Sequence, residues 1–204
     1  MKLYYSPGAC SLSPHIALLE AGLPYDLVKV DLRAKKTESG DDYLAVNPKG
    51  QVPALRLESG ELVTEGPVIV QMIADKVAAK GLAPARDSAE RYKLQEWLTY
   101  INSEVHKSFG PMFSPVLADD AKAFFKDRVL GKFKYLDSQL AGRDYLMGKQ
   151  FTVADGYLFT MLRWAEAMKF DLSAMPNLVA YRDRVAARPK VQEALTKEGL
   201  TKAP

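Results

Sequence analysis

Two regimes of hydrophobic spacing divide the chain near residue 80. Ahead of that point, short apolar runs alternate with helical patterns. Residues 2–5 (KLYY) form a strand candidate, followed by a turn at Ser6-Pro7-Gly8-Ala9. Between 11 and 21, Leu12, Ile16 and Leu19 recur at helical spacing until Gly22 and Pro24 stop the run. Residues 25–30 read as a second strand. Residues 53–57, a turn at 58–61 and Leu62-Val63 predict a hairpin. From 67 to 80, Val68, Ile69, Met72, Ile73 and Val77 predict a helix with one buried face. The order is βαβ, an undefined stretch, then ββα. That predicts a small mixed α/β sheet with helices packed on it.

Residues 81–87, with Gly81 and Pro84, read as a linker, and beyond them the strand signal vanishes. Leu94, Leu98, Ile101 and Val105 step by four and three, as do Phe125, Val129, Phe133, Leu136 and Leu140. Leu158, Leu162 and Ala165, then Leu178, Tyr181 and Val185, continue the spacing ahead of Pro189. This half is all-α, a helical bundle. The expected division is 1–80, a linker at 81–87, and 88–204, with no internal repeat.

Composition narrows the function classes. With 48% hydrophobic and 26% charged residues in 204, the chain is an ordinary globular protein. Its formal charge of +3 and lack of a basic run argue against a nucleic-acid partner. One cysteine forbids an internal disulfide, which favours a reducing compartment. Two histidines and one cysteine cannot assemble a four-ligand Cys/His zinc site, so no metal is expected. No apolar run approaches the roughly 18 residues of a membrane span, and the start lacks a signal-peptide core. The expectation is a soluble, cytoplasmic protein with no membrane contact.

Candidate chemistry begins at Cys10, which follows a strand and a Pro-Gly turn and opens the first helix. Helix-start amides favour an anion there and depress a thiol pKa from about 8.5 toward roughly 3.5–7.5. Lone cysteines are most often buried and inert, yet this junction favours a chemical role. Ser11 is the expected N-cap beside it. Val52-Pro53 precedes a strand. A cis bond would turn the Val52 backbone outward to pair with an extended ligand, but only about 5–6% of X-Pro bonds are cis, so sequence alone favours trans. Glu65-Gly66-Pro67 has the form of a helix start. Its amides suit a carboxylate and Glu65 suits an ammonium, together the zwitterionic head of an amino acid; a plain cap explains the residues equally well.

Further along, Thr99, Ser103, His106 and Lys107 form a polar stripe flanked by Glu104. A His-Lys pair beside a bound thiol would stabilise its thiolate and donate hydrogen bonds, although a solvated helix face is the simpler reading. His15 has no acid or nucleophile near it in sequence and reads as structural. Thr152-Val153-Ala154-Asp155 has capping-box spacing. Gly142 to Lys149 lacks the spacing of a phosphate loop. Trp97 and Trp164 are most simply core.

Residues 1–15 (MKLYYSPGACSLSPH) closely resemble bacterial beta-class glutathione S-transferases. So do 47–53 (NPKGQVP), 62–67 (LVTEGP), 103–109 (SEVHKSF) and 151–155 (FTVAD), so that the resemblance spans nearly the whole chain. Within the class the chain is similar to enzymes found with bacterial aromatic-degradation pathways. The resemblance implies a thioredoxin-like N-terminal domain, an all-helical C-terminal domain and a homodimer. It implies a cis Val52-Pro53 bond, reversing the odds from sequence alone. Glutathione would then lie between the domains as substrate, with no cofactor, its cysteinyl backbone on Val52 and its γ-glutamyl end on Glu65 and Gly66. Lys35 would approach the glycine carboxylate, and Glu104 would reach the site across the dimer. Ala9, Ser11, Gln51, Pro53 and Thr99 complete the implied contacts, although position 99 is often Asn in relatives. Cys10, His106 and Lys107 would lie at the sulfur as catalytic residues.

The implied activity is conjugation of glutathione to hydrophobic electrophiles, with dehalogenation or thiol exchange as accompanying activities. The cleft-facing parts of the bundle, around Phe109, Met112, Phe113 and Trp164, are expected to line the electrophile site. Two alternatives remain open: monothiol disulfide exchange through Cys10, and a non-catalytic binding protein on the same scaffold.

Overall fold

Alternation sets the first strand: in β1 (Lys2–Tyr5), Leu3 and Tyr5 face the main core and Tyr4 faces the opposite side of the sheet. The computed structural model describes residues 1–201; the last three residues of the expected helical half, 202–204, lie outside the described residues. β1 connects through α1 (Leu12–Ala21) to β2 (Asp26–Asp31), its parallel neighbour. On its other side β1 pairs antiparallel with β4 (Ala54–Arg56), which forms the expected hairpin with β5 (Leu62–Thr64). With β3 (Lys36–Thr37) on the far edge, the sheet order is β3-β2-β1-β4-β5.

The stretch that the apolar pattern left undefined holds β3 and the short helix α2 (Tyr43–Val46). Tyr43 is buried with Tyr4, Val30, Val52 and Ala54 in a second, smaller core. Its hydroxyl and Asn47 Nδ2 each donate to Gln51 O at 2.8 Å, which pins the backbone just ahead of Pro53. The helix expected over 67–80 is shorter: α3 (Gly66–Asp75) ends where Val77 leaves helical geometry (φ −133°, ψ 47°), and a separate 3₁₀ turn covers Ala78–Lys80.

The second half contains α4 (Ala89–Tyr100), a π-helical turn (Ile101–His106) and α5 (Lys107–Phe109), stacked end to end. Then follow α6 (Asp119–Gln139), α7 (Val153–Ala167), α8 (Pro176–Ala186) and α9 (Pro189–Lys197). The capping box at α7 is present. Buried Asp155 accepts from the Thr152 N–H at 2.7 Å and hydroxyl at 2.9 Å, and also from Leu146 N–H at 2.9 Å and Tyr181 Oη at 3.0 Å.

One core runs through both halves, because α1 packs on α3 on one side and on α7 and α9 on the other. A helix enclosed this way needs no polar face, and nine of its ten residues are buried. Gly22 closes it in the left-handed region (φ 64°), its N–H meeting the carbonyls of Leu18 and Leu19. Among the described residues no helix is long and apolar enough to cross a membrane.

Candidate active site

The two halves meet in a cleft of about 490 Å³. Its floor is the loop between β1 and α1. That loop needs Gly8 at φ +71°, and both of its backbone groups are bonded to the helical half. The Gly8 N–H donates to Glu198 Oε2 at 2.9 Å, and Trp164 Nε1 donates to Gly8 O at 2.7 Å. Ser11 is buried, and its hydroxyl turns back to Ser6 N and O, both at 3.2 Å. Held from both ends, the loop presents Cys10 to the cleft.

Cys10 Sγ donates to Val52 O at 3.2 Å, and the Val52-Pro53 bond is cis. Burial pushes the Cys10 thiol up to about 11, outweighing the pull of the Cys10 and Ser11 backbone N–H groups and of Lys107. The depressed thiol expected at a helix start is therefore corrected. The amides act as anticipated, but desolvation of the charged form is larger. Cys10 is a neutral thiol at physiological pH.

One side wall carries charged groups. Lys35 Nζ donates to Gly50 O at 2.8 Å. Lys49 Nζ reaches Glu65 Oε1 at 2.7 Å and Thr64 Oγ1 at 3.0 Å. Glu65 stands at φ +69°, uncommon for a residue with a side chain. Its carbonyl accepts the Val68 and Ile69 N–H groups at 3.0 Å as α3 begins, with Pro67 in the first turn. This conformation places the carboxylate at the cleft.

The opposite wall comes from the helical half: Asn102, His106, Lys107, Phe113, Tyr157 and Trp164. His106 Nδ1 lies 2.7 Å from Tyr157 Oη, and Tyr157 Oη donates to Asn102 Oδ1 at 2.9 Å. The imidazole stands edge-on to Trp164, centroids 5.0 Å apart. Burial, with a smaller contribution from Lys107, pushes His106 down to about 4, so the ring is neutral near pH 7. Burial likewise pushes the Tyr157 phenol upward. Among the described residues no cluster of three His, Cys, Asp or Glu side chains could hold a metal ion.

This geometry has close relatives. Residues 8–76 match the family model described as the glutathione S-transferase N-terminal domain, and residues 103–198 match that of the C-terminal domain. The glutathione S-transferase GstA of Escherichia coli O157:H7 is 48% identical over 200 residues, covering 98% of this chain and all of that protein. A sphingomonad glutathione S-transferase complexed with glutathione superposes with a TM-score of 0.95 at 51% identity, covering 98% and 100% of the two chains. The bacterial beta-class enzyme of Sphingomonas chungbukensis gives 0.95 at 50% identity, with the same coverage. The chain belongs to the glutathione S-transferase family, and its likeness is to the bacterial beta class.

Of the thirteen residues expected at the sulfur or on glutathione, ten line this transferase cleft: Ala9, Cys10, Lys35, Gln51, Val52, Pro53, Glu65, Gly66, His106 and Lys107. Ser11, Thr99 and Glu104 do not. Ser11 serves the loop from behind. Thr99 is exposed and its carbonyl accepts from Ser103 Oγ at 3.0 Å, while half-exposed Glu104 pairs with Lys132. The polar stripe presupposes an α-helical period. The π turn closes on i→i+5 bonds and advances the phase by about one residue, so Asn102 and His106 face the cleft and Thr99 faces away. The electrophile wall is corrected in the same region. Phe109 is fully buried against Phe133, Trp164 and Phe170, and Met112 packs on the core, whereas Phe113 and Trp164 line the cleft. Trp164 is thus wall as well as core. Asn102, Tyr157 and Lys49 are not among the residues the sequence marks; Asn102 carries a signal in its i,i+4 spacing to His106, and Lys49 lies within the 47–53 motif.

His15 is structural, as read. It is buried, with Nδ1 2.8 Å from Glu198 Oε1 and Nε2 2.9 Å from Tyr25 Oη.

Proposed function

We propose that this chain binds glutathione in the cleft between its halves and conjugates it, through its sulfur, to hydrophobic electrophiles. The observation that carries the reading is convergence in one cleft. A carboxylate at a helix start, the Val52 backbone ahead of a cis proline, a cysteine and a cation all converge there. The glutathione complex of the sphingomonad relative supports it.

In this reading Glu65 accepts the γ-glutamyl ammonium, and the opening amides of α3 take its carboxylate. The Val52 backbone pairs with the cysteinyl residue as an added strand. Lys35 approaches the glycine carboxylate. The thiol is directed toward Cys10, His106 and Lys107. Lys107 is the side-chain cation that favours ionisation at Cys10, and it favours the glutathione thiolate by the same field. Orientation and anion stabilisation then contribute to the rate. Phe113 and Trp164 provide the apolar surface for the electrophile. The chain acts in the cytoplasm as a homodimer, with Glu104 turned outward to reach a second subunit's cleft.

Disulfide exchange through Cys10 is a second reading, favoured by one observation, a free cysteine in the cleft wall. Capture on glutathione resin, followed by turnover with an aryl halide, tests both. Conjugation that persists in Cys10→Ala while exchange disappears supports transfer with exchange as a side activity. Binding without turnover points to a binding protein. A chain that neither binds glutathione nor conjugates it to any aryl halide overturns the proposal.

A further inference from the structure

The hydrogen bonds around His106 form a directed chain. Tyr157 has one hydroxyl proton, and its Oη donates to Asn102 Oδ1 at 2.9 Å. A carboxamide oxygen only accepts. Tyr157 therefore has no proton left for His106, whose Nδ1 stands 2.7 Å from the same oxygen. The contact at that distance requires His106 to donate.

From this geometry we infer that Asn102 and Tyr157 are positioning residues that fix neutral His106 as the Nδ1–H tautomer, with the Nε2 lone pair turned to the cleft. Nε2 has no protein partner among the described residues. Buried side-chain nitrogens and oxygens without partners are there limited to Ser13 Oγ and Arg163 Nε, so Nε2 is open to the cleft that His106 lines. The ring is also braced edge-on between Tyr157 and Trp164, with centroids 5.8 and 5.0 Å away.

The consequence for chemistry is an acceptor where the sequence suggested a donor. This deepens the proposed glutathione transfer and rests on it. His106 Nε2 accepts the hydrogen bond of the glutathione thiol. As the sulfur electron pair forms its bond to the electrophile, the thiol proton passes to Nε2, and the imidazolium returns it to the leaving group or to water. An anion forming beside the ring raises its proton affinity, and the Tyr157 oxygen accepts from the Nδ1–H throughout. Lys107 supplies the standing positive charge and His106 the proton acceptor.

The chain has two histidines, so ¹⁵N-histidine labelling gives a spectrum of four ring nitrogens, assigned with His106→Gln. The expected spectrum places a protonated nitrogen at His106 Nδ1 and an unprotonated one at Nε2. In Asn102→Leu the hydroxyl proton of Tyr157 is free to turn to Nδ1, the tautomer reverses, and kcat falls roughly 10²-fold, the scale of a general base. The glutathione KM stays within a few-fold. Asn102→Asp, which keeps an acceptor, restores the Nδ1–H tautomer and most of kcat. Tyr157→Phe leaves Nδ1 without a partner and gives a mixture of tautomers.

An Nε2–H tautomer in the unmodified protein overturns the inference without recourse to any variant. So does an Asn102→Leu protein that keeps either its tautomer or its kcat. The spectrum is read without turnover, so failure of glutathione transfer and failure of the tautomer assignment remain separate results.

Discussion

Glu198 accepts a hydrogen bond from the Gly8 N–H at 2.9 Å across 190 residues of sequence. Its other carboxylate oxygen is 2.8 Å from His15 Nδ1, and both side chains are fully buried. The residue that follows α9 therefore holds the loop carrying Cys10 and the helix behind it. Replacing Glu198 with Ala leaves the Gly8 N–H and His15 Nδ1 without their acceptor. At about 1–3 kcal/mol for each buried unsatisfied group, a loss of about 2–4 kcal/mol is expected. Urea unfolding monitored by tryptophan fluorescence would show a lower midpoint at unchanged slope. A midpoint within error of the parent would mean that water or a neighbouring group replaces the carboxylate.

Cys10 makes a pH prediction with a definite sign. Its thiol is pushed up to about 11 by burial, about four pH units above neutrality, so the thiolate fraction near pH 7 is roughly 10⁻⁴ against about 3% for an ordinary thiol. Alkylation by iodoacetamide reports on this one cysteine alone. The rate is expected to be slow at pH 7 and to rise about tenfold per pH unit, without a plateau, through pH 10. A plateau at or below pH 8.5 would show that the amides opening α1 and Lys107 outweigh burial. It would also favour the exchange reading, which requires a ready thiolate.

Local rules made the strands around β1, the hairpin and the helical half legible, because alternation and 3.6-residue spacing depend on neighbouring residues. What escaped depends on distant ones. Tyr43 is a polar-tipped residue in an undefined stretch, yet it is fully buried under β1 and β4 by contacts far along the chain. The helix over 67–80 stops early at Asp75 with no Gly or Pro to announce it. A single π turn misphased the stripe at Thr99, and it concealed Asn102 because no composition rule marks such a turn. Helix starts and residue chemistry mark Cys10, Glu65 and His106 only as candidates, and it is the family resemblance that sets Glu65 and His106 apart from a plain cap and a solvated helix face. Tyr157 carries no local signal: it meets His106 across a separation of 51 residues.

Lys49 bears on affinity. It holds Glu65 Oε1 at 2.7 Å and Thr64 Oγ1 at 3.0 Å. Glu65 is the proposed partner of the ligand ammonium, so in that mode a lysine ammonium already sits on the group that glutathione would use. Binding has to exchange one cation for another at Glu65, and the strength of the Lys49 pair is subtracted from the affinity. The pair is more than half exposed on both sides, and such pairs contribute about 0.2–1 kcal/mol. Lys49→Ala is therefore expected to lower the glutathione Kd by up to about fivefold, measured by isothermal titration at low ionic strength. The difference should shrink as salt screens the parent's ion pair. Glu65→Gln removes the shared target, and in that background Lys49→Ala should have no further effect. If Lys49→Ala instead weakens binding, Lys49 is a ligand contact that turns from Glu65 to a glutathione carboxylate, and the competition at Glu65 is refuted.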